Sequence, residues 1–157
     1  MKFSETLSYP MSLDDLEAMS LDPEFLRSRF QRFTTGLEVA VEGRRIRASG
    51  PLNTDLLPGA TKAFIAQDAR LEFTETWSGE GEARTASSRL TAKGAPLKVS
   101  ISSTFSGGAL ATRVATGDLV ISVPFFGSKL EQEGIARAGR ILKEEQRLAA
   151  EYLEKRA

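Results

Sequence analysis

The sequence predicts an α+β fold in the order β-α-α-β6-α: about seven antiparallel strands closed by one long C-terminal helix. Three observations carry this. Segments of strand character follow one another and are separated by glycine-rich turns. Two short stretches near the N-terminus carry helix-start signals. From Gly127 onward the pattern turns helical and stays so to the end.

In chain order, residues 2–9 alternate, with Phe3, Glu5, Leu7 and Tyr9 on one side, and Pro10 ends the strand. Ser12, followed three residues later by Asp15, opens a first helix. Asp22 with Pro23 behind it opens a second, whose face is Phe25, Leu26, Arg29, Phe30 and Phe33. After Gly36 come strands over 37–41 and 46–48, joined at Glu42-Gly43. Residues 51–59 are irregular, with a short helix expected over 59–65. Strands are then expected over 68–78, 83–92, 97–105 and 109–123. Ser128 and Glu131 have the capping-box spacing, and about 28 helical residues span roughly 42 Å. One domain over residues 1–157 is expected.

Composition removes several function classes. With no cysteine there is no disulfide, thiolate nucleophile or Cys-based zinc site, and with no histidine there is no Ser-His-Asp arrangement. Neither the acids nor the glycines have calcium-loop or phosphate-loop spacing, so no metal and no cofactor is expected. Lys+Arg and Asp+Glu are both 21, which gives no overall attraction to nucleic acid. Arg44, Arg45 and Arg47, with Arg27, Arg29 and Arg32, therefore read as a solvated face. The N-terminus shows no apolar signal stretch, and no run is long enough for a spanning helix. A soluble cytoplasmic protein without stable membrane insertion is expected.

Several stretches resemble a known family. They are Tyr9-Pro10 before a helix, Asp22-Pro23-Glu24-Phe25-Leu26, Glu75-Thr76-Trp77, Gly94-Ala95-Pro96, and Val123 to Gly127 running into Lys129-Leu130-Glu131. Together they resemble the START-like (SRPBCC, helix-grip) superfamily, in particular an uncharacterised actinobacterial branch. The resemblance covers nearly the whole chain. It implies a curved sheet wrapped around the last helix, with an apolar ligand held between them, and it carries over no catalytic residue.

Turn positions suggest a strand register. A loop over 79–82 pairs residue 78 with 83, and Gly107-Gly108 as a two-residue turn pairs 106 with 109. One face then reads Trp77, Arg84, Phe105 and Leu110, followed by Glu75, Ala86, Ser103 and Thr112. Below these come Phe73, Ser88, Ile101 and Val114. The small, polar second row suggests a cavity with one polar anchor. On the last helix, Glu145 sits within an apolar arc of about 140° that includes Ile141. There it is either paired with an arginine, exposed by a bend, or in contact with a ligand. Glu75 is similarly open between cross-strand pairing with Arg84 or Arg89 and ligand contact. Phe126 reads either as a staple onto Leu130 and the core or as a gate. The candidate ligand-binding set is thus Phe73, Glu75, Trp77, Ala86, Ser88, Ile101, Ser103, Phe105, Thr112, Val114, Phe126, Ile141 and Glu145. The expected function is non-catalytic binding or carriage of a small hydrophobic molecule. The alternatives are a cyclase-, dehydratase- or hydrolase-type enzyme using pocket carboxylates, or an interaction module with a closed core.

Overall fold

Seven strands form a single antiparallel sheet in the spatial order β1-β7-β6-β5-β4-β3-β2, so that β1 and β2, separated in sequence by two helices, lie at opposite edges. The structure, a computed structural model, describes residues 1–56 and 59–156. The strands are β1 (Lys2–Ser8), β2 (Glu38–Glu42), β3 (Arg45–Pro51), β4 (Arg70–Glu80), β5 (Ala83–Lys93), β6 (Leu97–Ser106) and β7 (Thr112–Ile121). The helices are α1 (Leu13–Ser20), α2 (Pro23–Phe30) and α3 (Gly127–Arg156). This is the helix-grip arrangement, a curved sheet with the long α3 laid against it. The helix expected over 59–65 is a 3₁₀ segment, Gly59–Phe64, and residues 57–58 of the irregular stretch lie outside the described residues.

The two N-terminal caps form as their sequence signals require. Ser12 accepts from the Asp15 amide and Asp22 from the Glu24 amide. Asp22 does more than cap: its other oxygen receives the Tyr152 hydroxyl at 2.6 Å and Arg156 at 2.7 Å, tying the end of α3 to the start of α2. The capping box expected at Ser128 and Glu131 does not form. The helix already begins at Gly127, and the Glu131 carboxylate turns away to accept from the Ile121 amide.

Two hairpins depart from the register expected from the turns. Between β4 and β5 the turn is only Gly81-Glu82, because Gly81, at φ 64°, takes the first central position, and Glu80 pairs with Ala83. The pairing moves by two residues and the face is kept. Between β6 and β7 the pairing is Ser106 with Thr112, so residues 107–111 form a loop and not a two-residue turn. The cause is Ala111, whose backbone is bonded to Tyr9 and Met11 at the end of β1 and is thereby drawn out of the hairpin. An odd shift reverses the face of a strand. Thr112 and Val114 therefore point away from the helix side, Val114 being 41% exposed, while Arg113, Ala115 and Leu119 point inward.

The inward face divides the core in two. One cluster gathers Trp77, Ala86, Phe105, Leu142 and Ala149 under Leu13, Leu16, Met19 and Phe25. The other gathers Ile46, Ala48, Leu71 and Phe73 against Leu26 and Phe30.

Candidate functional site

The register places side chains from neighbouring strands in rows beneath α2 and α3. Phe73, Leu90, Val99 and Leu119 make an apolar row, and Glu75, Ser88, Ile101 and Gly117 the row beside it. Gly117 leaves room for the ring of Phe3 on β1, which a Cβ there would force to move. The next row is Trp77, Ala86, Ser103 and Ala115, followed by Arg84, Phe105 and Arg113.

Above the first two rows lies a cavity of about 460 Å³, within the size range of small-molecule sites. Phe73, Leu90, Val99, Ile101 and Leu119 form its floor. Phe30 and Phe33 close it from α2 and the turn after it, and Leu130, Ala138, Ile141, Leu142 and Leu148 close it from α3. Gly134 allows α3 to come down onto Leu119, where a Cβ would clash.

The inner wall of the cavity is polar, lined by Ser88, Arg29 and Glu145, and a buried network of alternating charges stands behind it. Arg113 donates to Ser103 Oγ at 2.8 Å and to Glu145 Oε2 at 3.1 Å, with Tyr9 Oη at 3.4 Å. The second Glu145 oxygen meets Arg29 Nη2 at 3.0 Å. Arg29 also lies 4.0 Å from Glu75 Oε1 and stacks over the rings of Phe30 and Phe73. Glu75 in turn accepts from Ser88 Oγ at 2.7 Å and from Trp77 Nε1 at 3.2 Å. Two guanidiniums and two carboxylates are thus joined in one buried chain, the arrangement that makes buried charge tolerable.

Burial works against the Arg113 charge, but Glu145, Tyr9 and Glu75 outweigh it and raise the pKa above the usual arginine value. The Tyr9 phenol is raised too, by burial first and then by Glu145. Its contribution to stability is therefore complete below the ordinary tyrosine pKa of about 10 and is lost as pH rises through the higher folded value. Absorbance titration of the phenolates should show Tyr9 ionising only with alkaline unfolding. A Tyr9 that ionises near pH 10 in the folded protein would contradict this burial.

Five of the residues expected to contact ligand line the cavity: Phe73, Ser88, Ile101, Ile141 and Glu145. Glu75 stands behind Ser88 and is satisfied by it and by Trp77. Neither expected arginine partner reaches it: Arg84 pairs with Asp14 and Glu17 instead. Trp77, Ala86, Ser103 and Phe105 are buried outside the cavity. The indole stacks on Phe105 at 4.3 Å, and Ser103 lies under Arg113. Thr112 and Val114 are on the opposite face of the sheet, as described above. Phe126 is 55% exposed and neither packs into the core nor lines the cavity, because Phe125, at φ 68°, turns the chain outward before α3. Arg29 and Arg113 were not among the expected residues. Arg29 is no part of a solvated face; its place in the apolar stripe of α2 was the available signal, whereas Arg113 was hidden by the reversed face of β7. Among the described residues, no group of three or more acidic side chains could hold a metal ion, and no helix is long and apolar enough to cross a membrane.

A family model described as "Protein of unknown function (DUF2505)" matches residues 4–153. Among curated proteins none matches the chain. Solved structures share its fold at low identity. TTHA0849 from Thermus thermophilus is 18% identical, with 97% of this chain and 99% of that one covered, at a TM-score of 0.65. The Zhui aromatase/cyclase from Streptomyces sp. R1128 is 12% identical, with 99% and 94% covered, at 0.61. Norcoclaurine synthase from Thalictrum flavum, solved with dopamine and hydroxybenzaldehyde, is 13% identical, with 98% and 87% covered, at 0.57.

Proposed function

The chain belongs to the family described as protein of unknown function (DUF2505), and from that premise we propose that it binds and carries a small hydrophobic molecule between its sheet and α3. The observation that carries this reading is the cavity of about 460 Å³ with an apolar floor and a polar inner wall. A lipid, an isoprenoid or an aromatic metabolite fits that description. Burial of its apolar surface would supply roughly 25 cal/mol per Å² toward binding, on a floor whose inner end is bounded by Ser88, Arg29 and Glu145. The motifs quoted above support an actinobacterial branch of the START-like superfamily as its setting.

The structural neighbours include enzymes, and a carboxylate base in this cavity would make the protein one as well. The geometry favours carriage. Each oxygen of Glu75 and of Glu145 already has a donor or cation of the protein beside it, so both carboxylates are engaged in holding the scaffold together before any ligand enters.

The test is to fill the cavity. Val99 faces it between Leu90 and Leu119, all three being lining residues. Val99→Trp should abolish uptake of a neutral apolar fluorescent probe while thermal stability holds or rises. Unchanged probe affinity in folded Val99→Trp protein would overturn the reading.

A further inference from the structure

The polar groups of the cavity differ in charge balance between its inner wall and its rim. At the inner wall Arg29 is matched by Glu145, and behind them Arg113 and Glu75 add one charge of each sign, so that end carries no net charge. The rim lies where the turn after α2 faces α3. There the lining includes Arg32, Arg137, Arg140 and Arg147 against Glu133 and Glu144. Residues 137, 140, 144 and 147 recur at helical spacing, so they form one stripe along the side of α3 that faces the opening. Glu144 accepts from Arg147 Nε at 2.7 Å, and the same guanidinium is also held by Glu151, so Arg147 is matched. Among the described residues, neither Arg32 nor Arg140 makes a close ion pair, Arg32 acting on Glu144 only at longer range, and both are exposed.

We propose that the ligand is an amphiphile with an anionic head, a carboxylate or phosphate held by Arg32 and Arg140 at the rim, and an apolar body lying on the Phe73–Leu90–Val99–Leu119 floor. This rests on the reading of the cavity as a binding site and specifies the class of molecule. Guanidiniums suit such a head because their planar donor forks match carboxylate and phosphate oxygens. An excess of positive charge around a low-dielectric mouth also raises the local concentration of anions. A cationic head would meet repulsion at the rim, and a neutral one would make no use of the Arg32 and Arg140 charges.

The experiment compares four molecules with the same ten-carbon chain, decanoate, decyl phosphate, decanol and decylamine, by displacement of a neutral apolar fluorescent probe. Decanoate or decyl phosphate should displace it about tenfold more effectively than decanol at low salt, with decylamine weakest. The advantage should shrink as salt is added, because the rim is open to solvent. Comparing the two anions with each other tells carboxylate from phosphate as the preferred head. In the variant carrying Arg32→Ala and Arg140→Ala the anion advantage should disappear while decanol affinity stays unchanged. Equal displacement by all four, or preference for decylamine, overturns the anionic head and leaves the cavity reading intact. If the probe itself does not bind the wild-type protein, both readings fail. If the anion advantage survives in the double variant, the head is not held at this rim and the proposal is wrong.

Discussion

Glu145→Leu should lower the stability of the protein by about 3–5 kcal/mol, a fall in melting temperature on the order of 10 °C for a domain of this size. The carboxylate is buried between Arg29 at 3.0 Å and Arg113 at 3.1 Å. Leucine would leave two guanidiniums sharing a low-dielectric wall with one carboxylate, Glu75, which lies 4.0 Å from Arg29. Arg113 is the worse placed of the two. It is 3% exposed, and among the described residues its Nη2 is already buried without an acceptor. Adding Arg113→Met to Glu145→Leu should recover part of the loss, because removing both partners of a buried pair is gentler than removing one. Denaturant titration of both variants measures this. An unchanged midpoint for Glu145→Leu would mean that the arginines find other partners. The predicted loss, measured without ligand, would make Glu145 first of all part of the scaffold that holds the inner wall.

The architecture could be read from the sequence because its signals are local. Helix caps at Ser12 and Asp22, alternation along β1 and glycines between strands each act within a few residues. The β5–β6 register follows for the same reason, and it places Ser88 beside Ile101 and Ala86 beside Ser103. The site was harder to read because it depends on long-range events. The face of β7 is set by Ala111 pairing with the chain around Tyr9 and Met11, about a hundred positions earlier in the sequence. Reversing that face replaces Thr112 and Val114 with Arg113. The small row around Ala86 and Ser103 is consequently a berth for the Arg113 guanidinium and the Trp77 indole, and the void lies one or two rows away, over Val99 and Ile101. Glu145 was legible as an anomaly, a charge in an apolar arc. Its two arginine partners come from α2 and β7, and no helical periodicity could have named Arg113.

Trp77→Ala should lower stability by about 3–5 kcal/mol as well, but by a different route, and it should leave binding alone. The ring is 3% exposed and stacks on Phe105 at an interplanar angle of 20°, in the half of the core that α1 and the start of α2 cover. Its removal opens a void there and takes away the donor to Glu75 Oε2. Trp77→Phe should cost less than Trp77→Ala. It keeps a ring to stack on Phe105 but drops the N–H together with the pyrrole part of the indole, so a buried acceptor left short of a partner, about 1–3 kcal/mol, is joined by a smaller void. Unfolding midpoints for the two variants check this order. Affinity for the apolar probe, measured on folded protein, should match wild type in both, since Trp77 lies outside the cavity wall. Altered probe affinity with stability preserved would instead extend the ligand space past Glu75 and Ser88 into the half of the core occupied by Trp77 and Phe105.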